Sequence, residues 1–172
     1  MRDAGPGDAP GVAALHAASW RSAYRGFASP AYLDGAAAAD LLASWTRALA
    51  APPAGSFVIL DETGGALRAF ISVKLAVEPG YDAFVYALHV DPARRGGGIG
   101  RRLLGLAVER LIAEGHRSLA LRAFDGNPGA IRFYRRLGGA IEGHGLDDIG
   151  GATFPDTLIG WRDLPALAGA CR

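Results

Sequence analysis

The stretch Arg95-Gly96-Gly97-Gly98-Ile99-Gly100 is the part of this chain that best indicates its fold. It lies between a strand-like run at residues 84–90 and a strongly amphipathic run at residues 103–114. A strand that turns through glycines into a helix leaves backbone N–H groups without intrahelical partners, and the peptide dipoles add about half a positive charge there. Phosphate groups bind at such helix N-termini, so the sequence predicts an anion site.

The spacing of the glycines separates this loop from two common phosphate-binding loops. The dinucleotide pattern G-x-G-x-x-G would need its last glycine at Arg101 or Leu103, and the triphosphate loop would need a G-K-S/T. What remains is R-x-x-G-x-G, preceded by Val90-Asp91-Pro92. A glycine-rich connector that binds nothing is the alternative.

Composition limits the classes of protein to consider. The chain has 172 residues, half of them hydrophobic, which suits one domain over residues 1–172. The formal net charge is +1, and no basic stripe is present, so neither nucleic acid nor a membrane is an expected partner. Cys171 is the only cysteine, and we expect no metal. Because no apolar run suggests a membrane span or a signal peptide, the cytoplasm is the expected location.

Periodicity and turn signals predict an α+β fold. Helices are predicted over residues 8–20, from Pro30 to about residue 49, over 103–114, and from Asn127-Pro128 to Gly138-Gly139. Strands are predicted over residues 57–60, 66–77, 84–90, 118–123, 140–144 and 157–161. Asp8 is the candidate N-cap of the first helix. This order of elements favours a mixed sheet with helices on its faces.

A second motif follows the glycine loop, with the sequence Asn127-x-x-Ala130-x-x-Phe133-Tyr134-x-x-Leu137-Gly138. Together the two motifs resemble the signatures of the GNAT superfamily of N-acetyltransferases, over roughly residues 84–139. One departure is Gly139, where relatives commonly have an aromatic residue. The resemblance implies a mostly antiparallel mixed sheet, splayed between two parallel strands and covered by helices on both faces. It also implies acetyl-CoA as cosubstrate.

The resemblance places the pantetheine arm of acetyl-CoA between the two central strands, where backbone groups lack partners. The pyrophosphate would meet the backbone of the glycine loop, and arginines would meet the outer phosphates. The implied cofactor-binding residues are Leu88, His89, Val90, Arg95, Gly96, Gly97, Gly98, Ile99, Gly100, Arg101, Asn127 and Tyr134, with Arg94 and Arg102 as further candidates. The alternatives are solvated surface charges for the arginines and a helix cap for Asn127.

The implied chemistry needs a neutral amine and stabilisation of the departing thiolate. The resemblance assigns the thiolate to Tyr134. With a reference pKa of about 10 for tyrosine and about 8.5 for a thiol, full proton transfer is uphill by about 2 kcal/mol, which favours a hydrogen bond. Many relatives carry a glutamate where this chain has Phe84. Asp82 and Tyr86 share the strand parity of Phe84 and are the predicted proton relays through water, while His89 would face the other side.

The first helix carries two aromatic and two basic residues at four-residue spacing, Trp20, Arg21, Tyr24 and Arg25. If they line the cleft, they favour an acceptor with a carboxylate or a flat group beside its amine. Trp20, Tyr24 and Phe84 are the predicted substrate-binding residues, with core packing as the alternative for Trp20 and Tyr24. The predicted function is acetyl transfer to a small primary amine. Acetylation of protein N-termini or lysines, a non-catalytic acyl-CoA sensor, and assembly as a homodimer stay open.

Overall fold

A seven-stranded sheet lies at the centre of the structure, a computed structural model that describes all 172 residues. The strands are β1 (Arg2–Asp3), β2 (Phe57–Thr63), β3 (Ala66–Leu75), β4 (Ala83–Val90), β5 (Leu119–Phe124), β6 (Ala140–Ile149) and β7 (Ala152–Trp161). In the order β1-β2-β3-β4-β5-β7-β6, only β4 and β5 run parallel. The predicted mixed, mostly antiparallel sheet is therefore confirmed.

Helices cover both faces of this sheet. They are α1 (Ala9–Tyr24), α2 (Pro30–Asp34), α3 (Ala37–Ala50), α4 (Ile99–Ala113), α5 (Pro128–Arg136) and α6 (Leu164–Ala170). Ile71 on β3 packs in the cluster that contains α4 and α6, whereas its neighbour Phe70 packs with α1 and α3. Successive strand residues point to opposite faces, so the two clusters are the two halves of the core. No helix combines the length and apolar character needed to cross a bilayer.

Several element boundaries differ from the predicted ones. Asp8 is the N-cap residue of α1, as predicted, but its carboxylate does not bond to that helix, because it accepts from the N–H of Gly5 at 2.7 Å and pairs with Arg2. The strands β6 and β7 extend to a turn at residues 150–151, beyond the predicted limits. β1 and α6 were not predicted, although Asp163, which accepts from the N–H of Ala166 at 3.0 Å, marks the start of α6.

The two parallel strands separate after a short paired segment. Residues Ala83, Phe84 and Val85 pair with residues 119–121, and beyond Val85 the two strands share no further pairs. β4 remains bonded to β3 as far as Val90, and β5 remains bonded to β7 as far as Phe124. Each strand therefore keeps its outer neighbour while its inner backbone groups face an open gap, which is the predicted splay.

A β-bulge lies at the point where the strands separate. Ser72 pairs with Ala87 and Val73 pairs with Val85, so Tyr86 is an extra residue in β4. The bulge reverses the alternation of side chains, because Val85 packs on the α4 side and Ala87 packs on the α1 side. His89 consequently lies on the α1 side as well. The parity argument that placed His89 opposite the face of Phe84 is wrong for this reason.

Candidate active site

A cleft of about 980 Å³ runs through the splay from the glycine loop to the bulge. It is lined by the end of α1, by β4 from Val85 onward, by the end of β5 and by the start of α5. The predicted cofactor-binding residues that line it are Leu88, His89, Val90, Arg95, Gly96, Gly98, Ile99, Gly100, Arg101, Asn127 and Tyr134. Gly97 is in the same loop but does not line the cleft. The structure thus brings together nearly all the residues that the two motifs predicted.

The glycine loop presents bare backbone at the N-terminus of α4. Gly96 and Gly98 have φ of +86° and +74°, and a Cβ on either glycine would meet no atom within 4 Å. Gly98 is the N-cap residue of α4 and has no side chain to cap the first N–H groups of the helix. These N–H groups and the helix dipole remain available to an anion, so the local structure fits a pyrophosphate.

Arg95 joins the glycine loop to α1. Its Nη1 donates to Ser22 Oγ at 3.1 Å and its Nη2 donates to Ser19 Oγ at 3.1 Å. The guanidinium therefore lies against α1 at the edge of the cleft and fixes the distance between helix and loop. The same contacts occupy donors that the sequence assigned to the outer phosphates.

Of the other arginines near the glycine loop, some line the cleft and one lies outside it. Arg94 and Arg101 line the cleft, and Arg94 lies 3.5 Å from Asp91. Arg102 lines a separate cavity of about 370 Å³ on another side of α4, so its candidate role at the phosphates is wrong. Arg136, in the last turn of α5, also lines the cleft and was not predicted. Its position two residues after the motif tyrosine is the signal that could have indicated it.

His89 lies in the wall of the cleft as a neutral ring. Its Nδ1 is 2.9 Å from Ser19 Oγ, and its ring centroid is 4.0 Å from that of His16. Burial lowers the pKa of His89 to about 3, and the charge of Arg95 acts in the same direction. At neutral pH this imidazole is uncharged and too weak a base to take a proton from an ammonium group.

Tyr134 contributes a buried hydroxyl to the cleft. Its ring packs edge-on against Phe133 and Trp161, with centroids 5.0 Å and 6.1 Å apart. Burial raises the pKa of Tyr134, so the hydroxyl stays protonated and can donate a hydrogen bond. Ile159 and Trp161 together explain the departure at Gly139, since a Cβ there would lie 2.8 Å from the indole ring and closer still to Ile159. The indole donates to the carbonyl of Leu137 at 2.9 Å and fills the space beneath α5.

Asn127 caps α5 at the edge of the cleft. Its Oδ1 accepts from the N–H of Ala130 at 3.2 Å, which is the capping role that the sequence left open. The residue also lines the cleft, so a contact with the cosubstrate stays a prediction.

The structure separates the two predicted proton relays. Tyr86 is 47 % exposed, lines the cleft at the bulge, and carries the Nζ of Lys74 3.4 Å from its ring centroid. Asp82 precedes β4 at the closed end of the splay, where its Oδ2 accepts from the N–H groups of Arg117 at 2.7 Å and Ser118 at 3.1 Å. The bond from Arg117 lowers the pKa of Asp82. The prediction of a relay through Asp82 is wrong. Residues of equal parity share a face of the sheet, but Asp82 lies four residues before Tyr86, outside the cleft.

Only one of the predicted substrate-binding residues reaches the cleft. Tyr24 lines it, and burial raises the pKa of its hydroxyl to about 12. Trp20 packs against His16 with centroids 4.8 Å apart, and Phe84 is buried with Tyr81. Core packing, the alternative considered for Trp20, is therefore its role, and Phe84 has the same role.

The two basic residues of α1 are also used within the fold. Arg21 Nε donates to the carbonyl of Leu33 at 3.3 Å, and Arg25 pairs with Asp34 at 2.7 Å. Neither arginine lines the cleft. The condition for the predicted preference, that these residues line the cleft, is therefore not met by the two arginines.

Sequence reasoning missed Arg122, which lines the cleft at the separation of the strands. Its guanidinium pairs with Glu78 at 3.0 Å and with Asp156 at 2.8 Å. The signal was a single charged residue inside the otherwise apolar run at residues 119–123.

Comparison with known proteins gives consistent matches. The profile of the "Acetyltransferase (GNAT) family" matches residues 11–139. An uncharacterised N-acetyltransferase of Bacillus subtilis, YuaI, is 29 % identical over 170 residues, which are 97 % of this chain and 95 % of that protein.

Two solved structures share the fold. A GCN5-related N-acetyltransferase from Rhodopseudomonas palustris superimposes with a TM-score of 0.74 and 24 % identity, covering 92 % of each chain. The PaiA N-acetyltransferase of Thermoplasma acidophilum, solved in complex with coenzyme A, gives a TM-score of 0.72 and 20 % identity over 94 % of this chain and 96 % of that one.

Proposed function

This chain belongs to the acetyltransferase (GNAT) family, and we propose that it transfers an acetyl group from acetyl-CoA to the primary amine of a small molecule by direct attack in a ternary complex. The observation that carries the proposal is the continuous cleft that joins a bare helix N-terminus to an unpaired strand gap. The helix N-terminus suits a pyrophosphate, and the strand gap suits an arm that carries amides. Acetyl-CoA contains these two groups in the same order.

Each end of the cleft has its own task. Backbone N–H groups at Gly98 and the start of α4 bind the pyrophosphate, while the inner edge of β4 pairs with the pantetheine amides. Acetyl-CoA, when bound, supplies the electrophilic carbonyl and a thiolate leaving group. Tyr134 donates a hydrogen bond toward that sulfur. The raised pKa of Tyr134 makes complete proton transfer still less favourable than the reference values suggest.

The amine must lose a proton before it attacks. An alkyl amine with a pKa of about 10.4 is mostly protonated at neutral pH, and deprotonation costs about 4 to 5 kcal/mol. No aspartate or glutamate lines the cleft. Tyr86, exposed at the bulge, is the remaining predicted group at this place, and we assign its hydroxyl a proton relay, in which the oxygen takes the ammonium proton as its own O–H proton passes to water.

Contacts at the acceptor end favour a small substrate over a protein. Phe27, which follows α1, meets Phe154 on β7 with ring centroids 5.3 Å apart. A Cβ at Gly150 in the β6–β7 turn would clash with the ring of Tyr32 on α2. The segment after α1 and the β6–β7 hairpin therefore touch, which restricts the width available to a polypeptide acceptor.

The test is release of free thiol from acetyl-CoA in the presence of a broad panel of small amines and of peptides with free N-termini or lysines. Amine-dependent release with small amines, and a product heavier by one acetyl group, supports the proposal. Release with peptides alone would assign the chain to protein acetylation. Saturable binding of acetyl-CoA without release on the whole panel would favour a sensor, which the absence of a carboxylate from the cleft makes the second candidate.

A further inference from the structure

A charged cluster lies at the point where β4 and β5 separate. Arg122 is the first residue of β5 after the last pair with β4, and its side chain lines the cleft. Glu78, from the β3–β4 connection, accepts from Arg122 Nε at 3.0 Å and from Nη2 at 3.1 Å. Asp156 on β7 accepts from Nη1 at 2.8 Å. We call these three residues the Arg122 cluster.

The Arg122 cluster carries a formal charge of −1, from two carboxylates and one guanidinium. The side chain of Asp156 is 1 % exposed and that of Glu78 is 15 % exposed. The second oxygen of Asp156 has no hydrogen-bond partner. On β6, Gly145 lies directly against the cluster, and a side chain there would clash with Arg122 and Asp156. Packing therefore fixes the three groups, and burial keeps their excess negative charge from being screened by water.

The two ends of the cleft differ in charge. Four arginines line the glycine-loop end, namely Arg94, Arg95, Arg101 and Arg136. The bulge at Tyr86 is four residues before Val90, which is about 13 Å along the strand. At that end the lining arginine is Arg122, whose charge two carboxylates already balance. Lys74 lies over the ring of Tyr86 but does not line the cleft.

We propose that the Arg122 cluster selects the acceptor by charge, favouring amines whose neighbouring group is neutral or cationic and rejecting amines that carry a carboxylate beside the amino group. The proposal rests on the proposed function. A guanidinium has five N–H groups, and three of those of Arg122 are used, so two can donate to a neutral carbonyl or hydroxyl. A carboxylate at the same place would be attracted by the guanidinium that lines the cleft but repelled by Glu78 and Asp156 behind it, and the two negative charges outweigh the one positive charge.

Three related amines test whether the group beside the amino group decides acceptance. All three carry a phenyl group, which suits the aromatic rings of Tyr24 and Phe124 in the cleft. They are phenylalanine, phenylalaninamide and phenethylamine, compared by kcat/KM for thiol release from acetyl-CoA. We expect turnover of the amide and the simple amine, and poor use of the free amino acid. In E78Q the cluster charge rises from −1 to 0, and the ratio of acid to amide should increase about tenfold. D156N should change the ratio in the same direction.

The amines differ in intrinsic reactivity, but this difference cancels when the ratio of kcat/KM for acid and amide is compared between the parent and a variant. E114Q is the matched control, because it makes the same change of charge at Glu114, which follows α4 and pairs with Arg110. Its ratio should equal that of the parent. An unchanged ratio in both E78Q and D156N, with coenzyme A affinity retained, overturns the proposal, as does equal use of acid and amide by the parent. Those results leave the proposed function standing, whereas no release across the broad amine panel overturns both.

Discussion

The hydroxyl of Tyr134 has its protonation state set by burial. The residue is 8 % exposed, and the surrounding rings of Phe133 and Trp161 provide no charge to stabilise a phenolate. A raised pKa keeps the hydroxyl neutral through the range in which amines lose their protons. The residue therefore keeps an available O–H donor in the cleft, and if this donor acts on the thiolate as we propose, its removal should show in turnover.

Removing that donor should slow catalysis and leave binding nearly intact. Y134F is expected to lower kcat about 100-fold, since a donor aimed at developing charge acts mainly in the transition state. Coenzyme A affinity, measured by calorimetry, should change little. Y81F is the matched control, because the hydroxyl of Tyr81 is buried without a partner and lies outside the cleft. Equal kcat in Y134F and the parent would remove Tyr134 from the mechanism.

Two adjacent glycines of the glycine loop differ in their backbone conformation. Gly98 has φ of +74° whereas Gly97 does not have a positive φ, and a Cβ at Gly97 would lie at an ordinary 3.8 Å from the carbonyl of Arg94. An alanine at the left-handed position costs about 1 to 2 kcal/mol. The cost arises from conformation alone, because a Cβ at Gly98 meets no neighbour.

This difference predicts unequal effects of two similar substitutions. G98A should weaken coenzyme A binding at least about tenfold, because the loop must leave the conformation that presents its N–H groups to the pyrophosphate. G97A, with the same change of volume in the same loop, should bind coenzyme A nearly as the parent does. Titration calorimetry on both variants measures the contrast. Equal affinities would show that the φ of Gly98 does not matter for the cosubstrate.

Predictions from the sequence succeeded where the requirement is local. The glycines, the Asn127 cap and the amphipathic face of α4 depend on neighbouring residues alone, and the structure has them in place. The parity assignment of His89 failed because of a bulge that appears only in the pairing of β3 with β4, and the assignment of Asp82 failed because this residue lies at the closed end of the splay, bonded to the backbone of residues 117–118. Arg122 could not be placed either, since both carboxylates that hold it are more than 30 residues away in sequence.

At the scale of the whole molecule, the splay is possible because each strand beside the gap stays paired with its outer neighbour, β4 with β3 and β5 with β7. Two clusters of buried side chains, one on each face, anchor β3 and β4 from both sides. The α1-side cluster reaches the cleft through His16, which accepts from Trp45 Nε1 at 3.0 Å and lies beside His89. Two neutral imidazoles are thus part of the support for the open strand edge, and this gives the fold a dependence on pH.

Burial lowers the pKa of His16 well below its usual value and that of His89 to about 3. The unfolded chain binds protons at these groups below about pH 6.5, while the folded chain does not until the pH is much lower. Stability should therefore rise with pH from about 5 to about 7, with a slope approaching 2.7 kcal/mol per pH unit at the acidic end for two protons. Urea unfolding at several pH values measures this slope.

Substitution of one buried and one exposed histidine tests whether the buried histidines account for the protons that the chain takes up on unfolding. H89Q removes one buried imidazole, so the slope of unfolding free energy against pH should fall to about half, whatever the variant costs in absolute stability. H144Q makes the same substitution at an exposed position on β6 and serves as the control for the change of residue type. A parent slope near zero over this range would mean that the histidines are protonated within the fold. The neutral wall described for the cleft would then be incorrect, since His89 would bring a positive charge beside Arg95.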